Sequence, residues 1–271
     1  MSTRSPTVLE RILAETREEV QRRKLHTPPH ELVDGERASV AGSRPFRDAL
    51  MRERIGVIAE FKRRSPSAGE LREDPDLPGI VDAYRRGGAV ALSVLTEGPN
   101  FGGALADLRA AREACELPLL RKDFIVDPYQ LHEARAAGAD AVLLIVAALE
   151  RGSLASLHDT ALALGLDVLV EVHDRDELDD ALGIGADIVG INNRDLRDFS
   201  VDVGRTERLL GDIPPGVTVV SESGISTAGQ LDRLAQEGVH AVLVGESLMR
   251  SPDPALALRE LQSFRDLEAG L

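Results

Sequence analysis

Cysteine is nearly absent from this 271-residue chain: Cys115 stands alone. A disulfide framework is therefore excluded, as is a zinc site of clustered cysteines, and a lone thiol suits a reducing compartment. Tryptophan is missing altogether, so the chain has no indole emission of its own. No apolar run approaches the roughly 20 residues that a bilayer crossing needs. The first residues have no signal-peptide core, and Glu10, Glu15, Glu18 and Glu19 are too many acids for a transit peptide. A soluble cytoplasmic protein is expected. Positive charge is also short, the formal net charge being −14, which argues against nucleic acid or an anionic membrane as a partner. Scarcest within that short supply is lysine: Lys24, Lys62 and Lys122, against 29 arginines. Where the chain merely needs positive charge it uses Arg, so each lysine raises the question of what an amine does that a guanidinium cannot.

The length fits one large domain or two small ones, with room for a sizeable core. Residues 7–25 have helical periodicity, with Val8, Leu9, Ile12, Leu13 and Val20 near one face. Thr7 and Glu10 have capping-box spacing, and Arg22, Arg23 and Lys24 suit the negative end of the helix dipole. A surface helix docked by its apolar stripe is expected, broken by His26-Thr27-Pro28-Pro29.

From about residue 46, short apolar runs alternate with helix-period segments. The runs are Gly56–Phe61, Val90–Leu95, Leu117–Leu120, Ala141–Ala147, Asp167–Val172, Asp187–Ile191, Val217–Ser221 and Ala241–Val244. Such alternation implies parallel strands, buried on both faces, with helices outside. A glycine ends a helix ahead of a strand at Gly88, Gly138, Gly185 and Gly238, spaced 50, 47 and 53 residues apart. Each spacing holds about two strand–helix units, so four periods make about eight, the number that closes a (β/α)8 barrel of roughly 250 residues. An open doubly wound sheet is the rival, but no Gly-x-Gly-x-x-Gly follows the first strand. The expected fold is an α/β (β/α)8 TIM barrel over residues 46–271, with an N-terminal helical extension over 1–45, together one structural domain.

Active sites of such barrels lie at the C-terminal ends of the strands. The first run gives Glu60 and Lys62, which share the parity of Ile58 and so one face. The others end in Arg121-Lys122-Asp123, Glu171-Val172, Asn192-Asn193-Arg194-Asp195, Glu222-Ser223-Gly224 and Gly245-Glu246. A lone charge at a strand end is ordinarily a salt bridge or cap. Here charged or amide groups recur at the same end of many strands, and two of three lysines fall among them. A lysine with a lowered pKa can give and take back a proton, as an arginine cannot. Lysines and glutamates around one mouth push their pKa values apart, as acid–base chemistry requires. Ser65-Pro66-Ser67-Ala68-Gly69, Ser223-Gly224 and Gly245-Glu246-Ser247 read as phosphate loops, since small residues expose backbone N–H groups at loop-to-helix turns.

Other polar residues carry no chemistry in this reading. His173 starts a loop in which Asp174 and Glu177 form a capping box, and the remaining histidines have no metal-ligand spacing. Asp123, Asp127 and Asp195 suit helix caps, and Arg63 and Arg64 a solvated loop. No Gly-x-Ser-x-Gly elbow or Walker motif is present.

The segments AEFKRRSPSAG (59–69), SVLTEGPNFGG (93–103), LLRKDFIVDPYQ (119–130), VLVEVHD (168–174), GINNRDL (190–196), SESGI (221–225) and LVGESLM (243–249) together resemble the indole-3-glycerol phosphate synthase family of tryptophan biosynthesis. Gly98-Pro99-Asn100 departs from the family pattern, which has acidic or aromatic residues before Phe101. The resemblance implies a carboxy-lyase acting on 1-(2-carboxyphenylamino)-1-deoxy-D-ribulose 5-phosphate, with no metal or organic cofactor. It matches Lys122 to the general acid of ring closure and Lys62 to the lysine that pairs with the substrate carboxylate and assists dehydration. Glu171 matches a base or a stabiliser of the cationic intermediate. Glu60, Asn192 and Glu222 match further catalytic positions, and either Glu60 or Glu171 takes the last proton. Arg194, Phe101 and Phe124 match substrate contacts, the two rings as walls for the anthranilate. Ser65, Ser223, Gly224, Gly245 and Glu246 match the phosphate site. The implied partner is a phosphosugar, with no nucleic acid or membrane, on a monomer or weak homo-oligomer. The rivals are an isomerase of the phosphoribosylanthranilate type and a non-catalytic phosphosugar-binding barrel.

Overall fold

The computed structural model describes residues 6–32, 44–196 and 199–262. Of the expected extension, residues 1–5 and 33–43 lie outside the described residues. Helix α1 (Val8–His26) starts at the expected capping box, with Glu10 N donating to Thr7 Oγ1 and Thr7 N to Glu10 Oε2. Its buried stripe is Leu9, Ile12, Leu13, Thr16 and Val20. The scarce Lys24 donates to Asp127 Oδ2 at 2.6 Å, and Arg23 Nε to Glu133 Oε1 at 2.7 Å, so the basic last turn docks onto the barrel. A short helix α2 (Phe46–Leu50) follows, both ends fully buried.

Eight parallel strands then close a barrel: β1 (Gly56–Phe61), β2 (Ala91–Leu95), β3 (Leu119–Lys122), β4 (Ala141–Ile145), β5 (Asp167–Val172), β6 (Ile188–Asn192), β7 (Thr218–Glu222) and β8 (Ala241–Val244). Each pairs with its sequence neighbours, and β1 closes on β8 with Ile58 opposite Leu243. Helices α3 (Leu77–Gly87), α4 (Leu105–Ala114), α5 (Pro128–Ala136), α6 (Arg151–Ala163), α7 (Arg175–Gly183), α8 (Gly204–Leu210), α9 (Ala228–Gln236), α10 (Glu246–Arg250) and α11 (Pro254–Gln262) fill the connections. The four repeat glycines all have positive φ, between 80° and 96°, the left-handed geometry that ends a helix before a strand.

Alternation along each strand divides the core in two. Outward residues such as Val57, Leu92, Val142, Val170 and Val242 pack beneath the helices. Inward residues such as Ile58, Leu120, Leu143, Leu169 and Leu243 pack together with Phe46 and Leu50 of α2 and with Leu9, Ile12 and Leu13 of α1, whereas Val20 packs apart with Leu32 and Tyr129. Full burial of each such side chain is worth about 1.5–3 kcal/mol.

Strand bounds match the sequence at β1, β5 and β8. The clearest difference is β3, expected to end at Leu120 but continuing to Lys122. Arg121 points outward and is fully buried, its guanidinium donating to Asp123 Oδ2 at 2.8 Å, Gln130 O at 2.6 Å and Glu133 Oε2 at 3.3 Å. That pairing carries a charge through the strand where the apolar pattern stops. Asp123, expected as a cap, accepts instead from Arg121 and Thr96. Asp127 does cap α5, accepting from Tyr129 N. Among the described residues no helix is long and apolar enough to cross a membrane.

Candidate active site

The last inward position on five strands is polar: Glu60 on β1, Lys122 on β3, Glu171 on β5, Asn192 on β6 and Glu222 on β7. Register places Asn192 beside Glu222 and Glu171 beside Gly190. These side chains meet on one floor under a cavity of about 440 Å³.

Lys122 Nζ lies 2.9 Å from Glu171 Oε2 and 3.0 Å from Glu222 Oε2. Glu171 Oε1 accepts from Asn192 Nδ2 at 3.1 Å. Beside this group, Lys62 Nζ pairs with Glu60 Oε1 at 2.7 Å, and Ser93 Oγ donates to Glu60 Oε2 at 3.4 Å. The three carboxylates are at most 3% exposed. Two glycines make the room for them. A Cβ on Gly190 would lie 2.4 Å from Glu222 Oε1, and one on Gly245 would lie 2.5 Å from Glu60 Oε1.

Burial and charge pull against each other on this floor. Burial opposes the Lys122 ammonium, but Glu171, Glu222 and Glu60 outweigh it and raise its pKa. This corrects the sequence reading of a lowered lysine: without substrate, Lys122 is firmly protonated. Burial also raises Glu222, which Lys122 only partly offsets, leaving it at about 7. At Glu171 burial is outweighed by Lys122, His173 and Asn192, so that carboxylate stays ionised below the ordinary range. Glu222 Oε1 makes no hydrogen bond among the described residues.

The mouth is built from loops. Ser65 Oγ accepts from Ala68 N at 3.2 Å in the turn after β1. Ser223 adopts positive φ without being glycine, at 64°, beside Gly224 at 81°. Strain of this kind concentrates at ligand-holding turns. Gly245 and Glu246 open α10. Arg194 bridges three loops: its Nη1 donates to Ser67 Oγ and to Phe199 O, both at 3.2 Å, and its Nη2 lies 3.9 Å from Glu246 Oε2. Phe101 and Phe124 face each other with centroids 6.3 Å apart. All fourteen residues singled out in the sequence line this one cavity. Among the described residues no group of three His, Cys, Asp or Glu side chains is placed to hold a metal ion.

Several residues that the sequence reading passed over belong to the same region. Arg250 lines the cavity and donates to Ala68 O at 3.1 Å. Arg63 is not merely solvated: it holds Asp107 with two hydrogen bonds of 2.5 and 2.8 Å, and Arg64 donates to Pro99 O at 2.5 Å. Together they tie the loop carrying Phe101 to the loop after β1. Within that loop Glu97 accepts from Asn100 N at 2.8 Å, Asn100 Nδ2 at 2.7 Å and Phe101 N at 2.9 Å, so the divergent Gly98-Pro99-Asn100 turns around a buried carboxylate. His173 also lies closer to the chemistry than expected. Asp174 does cap α7, but the Glu177 carboxylate turns back to His173, whose Nε2 is 3.5 Å from Glu171 Oε1. The available signal was parity: Glu171 and His173 alternate just as Glu60 and Lys62 do.

A family model described as indole-3-glycerol phosphate synthase matches residues 9–261. The chain is 51% identical over 249 residues to the indole-3-glycerol phosphate synthase of Rhizorhabdus wittichii, covering 90% of this chain and 94% of that one. It is 47% identical over 257 residues to the protein of the same name from Azospirillum brasilense, covering 94% and 98%. Among solved structures it is similar to 3-hexulose-6-phosphate synthase from Salmonella typhimurium, with TM-score 0.60, 16% identity, and 77% and 97% of the two chains covered. A tryptophan synthase alpha-subunit from Pyrococcus furiosus gives TM-score 0.59 at 15% identity, covering 76% and 97%. At such identities the likeness is one of fold alone.

Proposed function

The chain belongs to the indole-3-glycerol phosphate synthase family, and on that premise we propose how its side chains divide the reaction. That reaction is ring closure, decarboxylation and dehydration of the carboxyphenylamino-deoxyribulose phosphate, giving indole-3-glycerol phosphate, carbon dioxide and water in tryptophan biosynthesis. The substrate phosphate binds the backbone N–H groups at Ser223-Gly224 and Gly245-Glu246 with the Ser65 turn, and its remote binding energy positions the reacting end. The anthranilate ring lies between Phe101 and Phe124, with its carboxylate towards Lys62 and Arg194.

When the aromatic carbon attacks the ketone, charge develops on the ketone oxygen. Lys122 donates a proton there as the carbon–carbon bond forms. The ring nitrogen becomes cationic, and the ionised Glu171 stabilises it. Carbon dioxide then leaves, its bonding electrons restoring the aromatic ring, and Lys62 loses its carboxylate partner. Lys62 protonates the departing hydroxyl, while Glu60 takes the ring C–H proton and hands it back to Lys62 across their 2.7 Å contact. That pair is closed. Lys122 has spent one proton, which solvent replaces, and Glu222, at about 7 and 3.0 Å away, is placed to carry it.

The observation that carries this assignment is the Lys122 ammonium between two buried carboxylates, on the floor of a cavity whose rim holds the phosphate loops. A cytoplasmic setting, a monomer or weak homo-oligomer and the absence of a nucleic-acid partner belong to the same proposal. The net charge of −14 and the lone buried Cys115 support it. The test is direct: purified protein mixed with the substrate must release carbon dioxide and develop indole fluorescence. Binding without carbon dioxide would reduce the protein to a phosphosugar-binding barrel, and isomerised product without it would make it an isomerase.

A further inference from the structure

We propose that His173 is a positioning residue for Glu171, an imidazolium clamped by Glu177 that acts with Asn192 to hold one oxygen of the carboxylate and leaves the other on Lys122. The inference rests on the role given to Glu171 above and deepens it. Both ring nitrogens of His173 face carboxylates: Nδ1 is 3.0 Å from Glu177 Oε2, and Nε2 is 3.5 Å from Glu171 Oε1. An ionised carboxylate only accepts hydrogen bonds, so a ring set between two of them carries both protons. The side chain is only 9% exposed, and Nε2, which makes no hydrogen bond among the described residues, has the Glu171 carboxylate as its ion-pair neighbour at 3.5 Å.

The helix cap does not explain the ring. Glu177 already accepts from the His173 backbone N at 2.7 Å, and Asp174 from Glu177 N at 3.0 Å. A smaller or apolar residue at position 173 would leave both bonds intact. The ring instead lines a second pocket of about 410 Å³ together with Glu177, Asp195 and Arg205, whereas Glu171 lines the main cavity. The charges around it are mixed. Arg205 of α8 opposes the imidazolium, but donates to Asn192 O and lies 3.9 Å from Asp195. Asp174, Arg175 and Arg208 line the same pocket. The nearest acceptors, Glu171 and Glu177, outweigh burial and Arg205 and raise the pKa of the ring above its ordinary value. A four-member chain of alternating charge thus runs Glu177, His173, Glu171, Lys122 and ends on the group that gives up the proton.

The experiment compares the parent enzyme with His173→Gln and, acting from the far side of the ring, Glu177→Gln. In His173→Gln, kcat is expected to fall about tenfold with KM within twofold of the parent. The acidic limb of the kcat profile should move to higher pH by about one unit, because Glu171 then ionises less readily. Glu177→Gln shifts the limb in the same direction by less, and carries the test if the histidine variant fails to fold. An acidic limb that stays in place, or a rise in KM alone, would overturn the proposal in favour of a packing role. Glu171→Gln is measured alongside. If it keeps parental kcat, the role of Glu171 is at fault; if it loses turnover while both other variants match the parent, only the inference about His173 fails.

Discussion

Replacing Lys122 by arginine separates charge from proton transfer. Arginine keeps a positive group between Glu171 and Glu222, which hold the ammonium at 2.9 and 3.0 Å, and the cavity above gives its longer side chain room. The three buried carboxylates therefore keep a counter-ion, and the fold should keep most of its stability. Turnover should not survive, because a guanidinium does not release its proton. A positioned general acid contributes roughly 10²–10⁴ in rate, so the barrier should rise by about 3–5 kcal/mol. Lys122→Met is the companion variant. It abolishes the charge as well, removing the cation between two buried carboxylates at a cost of about 3–5 kcal/mol in stability. Both variants should be equally inactive, but only Met should melt markedly earlier. Indole emission measures the rates to low levels, since the chain contains no tryptophan. An arginine variant within tenfold of the parental kcat would refute the reasoning, for it would mean that Lys122 supplies field and not a proton.

Gly245→Ala places a methyl 2.5 Å from Glu60 Oε1; overpacking of this kind costs about 1–3 kcal/mol. It should slow the dehydration half of the reaction, seen as carbon dioxide released ahead of indole fluorescence. Glu222 predicts a pH dependence of stability. Its carboxyl is raised from 4.5 to about 7 in the fold, so the native state binds the extra proton. Its stabilising contribution is complete below about 4.5 and is lost as pH rises through about 7, at up to roughly 1.4 kcal/mol per pH unit. Glu222→Gln should flatten that part of the urea-denaturation profile, and an unchanged slope would contradict the assignment.

Much of the site could be read from the chain because barrel strands obey simple alternation. Glu60 and Lys62 share a parity with Ile58, and that alone directs them inward. What alternation conceals is compensation. Arg121 looks like the end of an apolar run, yet partners from Thr96 to Glu133 let a charge lie buried in the layer between sheet and helices. The raised pKa of Lys122 was equally hidden, since it depends on two carboxylates 49 and 100 residues away along the chain being level with it. Arg63 and Arg64 read as a solvated pair because their partners, Asp107 in α4 and Pro99 in the loop before it, lie more than 30 residues further along the chain.

Gly190 and Gly245 give the scaffold a division of labour that protein engineers can use. The carboxylate floor has its room because two side chains are omitted from the barrel wall, whereas the rim above it is built from turns. A library that randomises the turn around Phe101 while freezing both glycines and the turns at Ser65 and Ser223 would explore new phosphorylated substrates without dismantling the acid–base apparatus. Randomising either glycine would erase that apparatus before any new specificity could be selected.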